Sequence, residues 1–350
     1  MAKSQSTCGI QGVSAPTLWL RERWETRPLV SICIPTYNRA DYAEAAVRSA
    51  LSQTYEPIEV LVSDDCSDDG SYERLLSVRD PRLHVKRNSH RRGPVSNRNA
   101  ALNRVRGQLI KFLDDDDLLE PDCVSSMVSL FEQDPQVGMV FCPRTIIVEG
   151  DTDDDSVQAW RQVYNALHTQ FGSLESVNDG RDLFRQLMTD GFRRNWIGEP
   201  TVVMVSTSHL RRTGAFSAQV QQLVDLDLWV RILPHCRVGF VSEELAHYRI
   251  GHRSVSKHNR LTKRAWLDRL WLLENLSRDP ELCVAFPAIS EMLHAERRQA
   301  WRTALKVGRG AGGRRVPAAS YLPYARYRVC LRLGVSSSTV PERRVATSGN

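Results

Sequence analysis

The sequence predicts an α/β fold in which a mostly parallel sheet is flanked by helices and followed by a basic, helical C-terminal extension. Three observations predict it. Over residues 29–113, short aliphatic and β-branched runs alternate with segments of helical periodicity, and such alternation builds βαβ units and a parallel, Rossmann-like sheet. Polar residues stand directly after three strand-like runs, at Pro35-Thr36-Tyr37, Asp64-Asp65 and Asp114 to Asp117, and ligands of such sheets bind beyond the carboxyl ends of the strands. Finally, Gly251 to Asn350 holds 19 Lys and Arg against 7 Asp and Glu, so the preceding part of this +6 chain is net acidic.

The elements follow in order. Residues 1–26 read as a flexible leader. Leu29 to Ile34 is a buried strand stopped by Pro35, and Asp41 to Gln53 is helical, with Tyr42, Ala46 and Ala50 on one face. Ile58 to Val62 is the second strand, a helix starts at Ser71, and Leu83 to Val85 is a short strand before the basic loop His90 to Pro94. The helix from Val95 to Arg106 is expected to stop at Gly107. Gln108 to Leu113 is a strand that runs into four aspartates. Pro121 to Phe131 is helical, Val137 to Val148 holds one or two strands, and 151–195 is a polar, partly helical insertion. Thr201 to Val205 and Arg237 to Val241 are strand-like, and Leu223 to Leu233 is a helix. From Arg260 the chain is helical, with Trp266, Leu267, Leu270, Trp271 and Leu273 as its apolar stripe.

Composition narrows the class. Hydrophobic residues at 41% and charged residues at 25% are ordinary for a globular chain. No apolar run approaches the ~18 residues of a spanning helix, and no apolar segment follows Lys3 as a secretory signal requires. The eight cysteines are scattered without a C-x-x-C pair, the pattern of reduced thiols in a cytoplasmic protein.

Asp114-Asp115-Asp116-Asp117 carries the most chemistry. Two carboxylates 4 Å apart repel by about 4 kcal/mol at an effective dielectric near 20. A divalent cation relieves that repulsion, and Mg²⁺ or Mn²⁺ shares one or two carboxylates with substrate phosphates. Leu113 and Leu118-Leu119 bracket these charges with apolar residues; no buried strand aims the second acidic run, Asp151 and Asp153 to Asp155, which reads as a solvated turn.

The segments VSICIPTYNR, VLVSDDCSDDGS, NRNAALNRVRGQLIKFLDDDDLLEPD and VDLDLWVRI, in that order between about Pro28 and His258, resemble glycosyltransferase family 2. The resemblance implies a GT-A fold, an inverting reaction and a nucleotide-sugar donor, with UDP- or dTDP-sugars favoured. It divides the chain into a nucleotide-sugar-binding half (27–145), the insertion (146–195), an acceptor-binding half with the catalytic base (196–258) and the extension (259–350).

Further roles are implied by the same resemblance. Pro35, Thr36 and Tyr37 match the loop that packs on the nucleobase, with a merely packed aromatic as the alternative for Tyr37. Asp65, beside Asp64, matches the carboxylate that reads base or ribose; Asp64 has the alternative of capping its own turn. Arg98 matches an arginine that meets a phosphate or supports the base, against an ordinary surface arginine. Asp114 and Asp116 match the ends of the D-x-D motif, Asp116 as direct metal ligand, and Asp115 faces the ribose. Asp225 matches the general base although Val224 replaces the usual Glu before it, so Asp227 is the reserve, with a structural pairing to Arg231 as its alternative. Trp196 and Glu199 fall on the acceptor side, where Trp196 either stacks on a sugar or fills the core. Thr213-Gly214-Ala215-Phe216 resembles a G-G-F turn. Arg249 or His252 is placed to hold the diphosphate, and His252 to complete the metal shell unless it is a satisfied, non-ligating histidine.

Transfer from a nucleoside diphosphate requires neutralisation of the leaving group and a base facing the acceptor hydroxyl. A sugar-phosphate nucleotidylyltransferase would show a glycine-rich first loop in place of Pro35 to Arg39, and a phosphohydrolase would not follow its aspartates with Leu118-Leu119. An inactive nucleotide-sugar-binding module is disfavoured by the presence of both Asp116 and Asp225. The C-terminal Arg297, Arg298, Arg302, Lys306 and Arg309 with Tyr321, Tyr324 and Tyr327 suit the anionic inner face of the cell membrane, where a lipid-linked acceptor would lie, or a solvated tail. No nucleic-acid motif is present, and no nucleic acid is expected as partner.

Overall fold

The computed structural model describes residues 24, 26–149, 167–250 and 267–308. Its centre is an eight-stranded sheet in the order β3-β2-β1-β4-β9-β6-β10-β8. These strands are β1 (Val30–Thr36), β2 (Ile58–Asp64), β3 (Leu83–Arg87), β4 (Leu109–Phe112), β6 (Val137–Phe141), β8 (Val177–Asp179), β9 (Val203–Ser206) and β10 (Arg237–Phe240). β3, β2, β1 and β4 run parallel, with Val30 beside both Ile58 and Leu109. β1 and β2 are buried on both faces, as covered parallel strands must be.

α1 (Ala40–Leu51), α2 (Ser71–Ser77) and α3 (Pro94–Leu102) make the crossovers. α1 turns Ala43, Ala46, Val47 and Ala50 to the sheet, while Tyr42 stays half-buried and donates to Glu149 at 2.7 Å. α3 ends before the expected Gly107. The chain leaves the helix there because Arg104 reaches the carbonyls of Val62 and His84, and Arg106 binds the buried carboxylate of Glu59. Gly107 instead permits close packing: a Cβ there would sit 2.5 Å from the Leu29 carbonyl oxygen.

Beyond β4 the sheet departs from simple alternation. β9 lies antiparallel between β4 and β6, and β8 closes the far edge antiparallel to β10. β5 (Leu118–Leu119), β11 (Ala246–Ile250) and β7 (Arg144–Val148) form a separate three-stranded sheet. α4 (Cys123–Gln133) buries Val124, Met127, Val128 and Phe131 against the main sheet. Residues 167–195 are less peripheral than the polar composition of 151–195 predicts. They supply β8 and α5 (Gly180–Thr189), whose Leu183, Phe184 and Leu187 enter the core.

α6 (Thr207–Thr213) and α7 (Val224–Ile232) follow β9. α8 (Asp268–Leu276) packs on α7, and α9 (Pro280–Ala285) and α10 (Ala288–Gly308) continue the helical extension. Leu270, Trp271, Leu272, Leu273 and Leu276 of α8 are all buried; Trp266 lies outside the described residues. Among the described residues no helix is long and apolar enough to cross a membrane.

Candidate active site

The carboxyl ends of β1, β2 and β4 meet, and side chains lock their loops together. Asn97 of α3 donates to the Thr36 and Ser63 carbonyls and accepts from Ser63 Oγ and Asn88 Nδ2. Every polar atom of this buried amide is satisfied, so it fixes the first two strand ends relative to each other. After β1, Asn38 and Asp68 bond reciprocally, and Arg39 N and Ala40 N donate to Ser71 and Asp69.

Tyr37 stands on this frame with the Arg91 guanidinium 4.1 Å from its ring centroid. Asp65 is buried and accepts from Asn88 Nδ2 and from the backbone N–H of Arg92 and Gly93. It therefore ties the β2 end to the basic loop that carries Arg91. Asp64 takes the turn-capping alternative: it is fully buried, and both oxygens accept from Ser67.

The four aspartates divide their work. Asp117 is buried and structural, accepting from Thr201 Oγ1 at 2.6 Å and from Arg249 N at 3.0 Å. Burial and the neighbouring Asp116 and Asp114 hold its carboxyl well above the usual range. Asp115 Oδ2 accepts from Tyr37 N at 3.3 Å, and burial followed by the charge of Asp116 pushes its carboxyl up to about 8. Asp116 is partly exposed, with Arg39 Nη2 at 3.9 Å. Asp114 is engaged by Arg98 Nη2 at 2.6 Å, and its N–H donates to Thr201 Oγ1. Among the described residues no three His, Cys, Asp or Glu side chains form a ready-made metal cage.

Arg98 links this loop to α7. Its Nη1 lies 3.8 Å from Asp225 Oδ1, and its guanidinium rests 5.6 Å from the Phe216 ring centroid. Phe216 in turn packs edge-on to Phe112 at 5.5 Å, and its backbone exchanges hydrogen bonds with the Asn99 side chain. Asp225 Oδ1 is buried without a hydrogen bond. Burial raises this carboxyl to about 7; Arg98 opposes the rise, while Asp114 and Glu199 add to it. A buried carboxyl raised to about 7, whose Oδ1 makes no hydrogen bond, is suited to general-base work.

The other expected residues separate clearly. Asp227 takes its structural alternative: it is fully buried, paired with Arg231 at 2.9 Å and bonded to Asn275 at 2.7 Å. Trp196 is a core tryptophan, 7% exposed and edge-on to Phe171 at 5.4 Å, so its faces offer no platform for a sugar. Glu199 is brought near Asp225 and paired with Arg144 at 2.6 Å. Arg249 braces the acidic loop, donating from its side chain to the Asp116 carbonyl and to Glu149. His252 lies outside the described residues. Asn97, Lys111 and Thr201 were not foreseen. Lys111 is fully buried, and its ammonium donates to the Phe112 and Thr201 carbonyls. Asn97 neighbours Arg98 in the NRNA run, Lys111 stands in the strand that leads into the aspartates and Thr201 follows Glu199-Pro200, but their residue types alone do not mark these roles.

The parallel strand ends that gather Tyr37 with Arg91, the acidic loop and the buried carboxylate of Asp225 belong to a glycosyltransferase of the GT-A fold. The chain belongs to glycosyltransferase family 2: the model described as "Glycosyl transferase family 2" matches residues 31–216, just over half of it. An uncharacterized protein of Mycobacterium tuberculosis is 37% identical over 73% of this chain and 77% of its own length. The putative teichuronic acid biosynthesis glycosyltransferase TuaG of Bacillus subtilis is 26% identical over 69% of this chain and 86% of its own. The UDP-Glc:alpha-D-GlcNAc-diphosphoundecaprenol beta-1,3-glucosyltransferase WfaP of Escherichia coli is 38% identical, over 30% of this chain and 41% of its own. In fold the chain is similar to S. aureus TarS 1–349 (TM-score 0.56, 16% identity, 85% and 78% of the two chains covered). It is also similar to the mannosyltransferase PcManGT of Pyrobaculum calidifontis in complex with GDP-Man and Mn²⁺ (TM-score 0.52, 19% identity, 89% and 85% covered).

Proposed function

We propose that this enzyme is an inverting, metal-dependent glycosyltransferase that takes a sugar from a UDP- or dTDP-linked donor. The acceptor is the hydroxyl of a glycan or lipid-linked intermediate in cell-surface polysaccharide synthesis. The observation that carries the reading is Asp225, whose buried Oδ1 has no hydrogen bond and faces the arginine that holds Asp114. Asp225 takes the proton of the acceptor hydroxyl; the acceptor oxygen bonds to the anomeric carbon on the face opposite the breaking bond, and the nucleoside diphosphate departs.

The acidic loop fits Mg²⁺ or Mn²⁺ by the chemistry of its donors. They are carboxylate oxygens, the hard ligands these cations take and share with substrate phosphates. Asp116 would hold the ion together with Asp114. When bound, the ion neutralises charge on the leaving diphosphate as a Lewis acid. Tyr37 and Arg91 wall the nucleobase, Asp65 orders the loop behind it, and Asp115 meets the ribose. Arg249 holds the acidic loop in place, and Glu199 lies on the acceptor side.

The donor class is supported by relatives: WfaP is named for UDP-Glc, and structures of TarS contain UDP-GlcNAc and UDP. A lipid-linked acceptor is supported by the diphosphoundecaprenol substrate of WfaP and by the basic C-terminal region, which would meet the inner face of the cell membrane from the cytoplasm. The test is incubation with a panel of nucleotide-sugars, Mn²⁺ and lipid-linked acceptors. Release of nucleoside diphosphate with glycosylated acceptor supports the reading. Release of nucleoside monophosphate or pyrophosphate would instead indicate a nucleotidylyltransferase.

A further inference from the structure

The helix that carries Asp225 is gripped by α8, and both helices lie beyond the family match, which ends at residue 216. Gln221, Gln222 and Leu223 approach α7 with three consecutive backbone N–H groups. All three donate to one carboxylate: Gln221 N to Asp268 Oδ1 at 3.0 Å, and Gln222 N and Leu223 N to Oδ2, the latter at 2.9 Å. Asp268 is 1% exposed, and among the described residues these three N–H groups are the donors that compensate its buried carboxylate.

Seven residues further along α8, close to two full turns and hence on the same face, Asn275 Nδ2 donates to Asp227 Oδ1 at 2.7 Å. α8 therefore holds α7 on both sides of Asp225, at residues 221–223 before it and at Asp227 after it. A third tie, from Trp229 Nε1 to the Gly198 carbonyl at 3.1 Å, fixes α7 against the acceptor-side segment. None of these bonds touches the acidic loop, Arg98 or the loops after β1 and β2.

We propose that Asp268 is a positioning residue for the general base: by collecting the three N–H groups that lead into α7, it sets where Asp225 meets the acceptor hydroxyl. This inference rests on Asp225 being the base. α8 is then part of the acceptor-side machinery, and the donor side is built without it. A base must stand within hydrogen-bond reach of its proton, and a misplacement near 1 Å costs about 10²-fold in rate. An Asn at this position would keep one acceptor oxygen and turn an NH₂ group toward N–H donors, which loosens the approach to α7.

The experiment compares Asp268→Asn, Asp268→Glu and Asp225→Asn in full-length protein, measuring kcat, donor KM and donor affinity by titration. Asp268→Asn is expected to lose about 10-fold or more in kcat with donor KM and affinity unchanged, and Asp268→Glu to recover part of the loss. Unchanged kcat in Asp268→Asn beside an inactive Asp225→Asn overturns the positioning role alone. Parallel loss of kcat and donor affinity also overturns it, because general destabilisation would act on both sides of the site. An active Asp225→Asn overturns the base assignment and this inference with it. If Asp268→Asn does not yield folded protein, Asp268→Ser carries the test: the same loss of kcat at constant donor affinity is expected, and unchanged kcat overturns the proposal.

Discussion

Arg98 Nη1 lies 3.8 Å from Asp225 Oδ1 while the other terminal nitrogen of the same guanidinium holds Asp114 at 2.6 Å. One cation thus joins the acidic loop to the carboxylate on α7. Arg98 lowers the pKa of Asp225, and Asp114 and Glu199 raise it. Replacing Arg98 by Met removes the lowering influence and keeps the raising ones. The base then loses its proton at higher pH, so the rising limb of kcat/KM against pH moves upward from about 7. An unmoved limb in Arg98→Met would show that the arginine and Asp225 are not coupled.

Asp225→Asn keeps the shape of the side chain and removes its basicity. Transfer is expected to fall at least ~10²-fold, while calorimetric titration gives wild-type donor affinity. In the wild type, activity is expected to rise with pH through about 7 as Asp225 ionises. Wild-type rates in Asp225→Asn would remove the base from this residue.

Thr201 donates to Asp117 at 2.6 Å and accepts the Asp114 N–H at 3.1 Å, so it sets the shape of the acidic loop from β9's approach. Thr201→Val leaves a buried carboxylate oxygen and an N–H without these partners, at a cost of about 1–3 kcal/mol. Chemical denaturation should report that loss, and donor affinity should weaken with it. An unaltered denaturation midpoint would show that Thr201 is not a brace.

His209 gives a separate handle on stability. It is fully buried, with Ser206 Oγ 2.6 Å from Nδ1. Burial depresses its pKa from 6.5 to about 4; a hydrogen bond with the His235 backbone opposes the drop, while the charges of His235 and Arg212 add to it. The unfolded chain therefore binds the proton first as pH falls. The neutral ring's contribution is complete above 6.5 and is lost progressively toward 4, about 3 kcal/mol in all. Denaturation midpoints measured across that window should fall in the wild type and flatten in His209→Leu. Equal slopes would contradict the assignment.

Much of this was legible in the sequence, for a physical reason. The parallel strands β1, β2 and β4 are continuous apolar runs ended by polar residues, so periodicity and motif order locate both the sheet and its working edge. β7 and β9 are legible as short strand-like runs, at Val137 to Val148 and Thr201 to Val205, but their placement, β9 antiparallel inside the main sheet and β7 with β5 and β11 in a separate sheet, is not; β8 and β5 are runs of two or three residues without distinctive periodicity. The engagement of Asp114 by Arg98 joins positions 16 apart through a tertiary contact that spacing does not encode. Asp268 was silent for another reason: its partners are backbone N–H groups, which leave no mark on residue identity. Asp227 and Trp196 carried the right residue types for chemistry, and burial assigned both to the interior.

The most direct measurement follows the nucleotide product of wild type and Asp116→Ala, with Mn²⁺ and with EDTA. Wild type with Mn²⁺ is expected to release nucleoside diphosphate as acceptor is glycosylated, and EDTA or Asp116→Ala should abolish both metal-dependent donor binding and transfer. Full activity in EDTA, or undiminished Mn²⁺-dependent donor affinity in Asp116→Ala, would contradict a cation seated on the acidic loop.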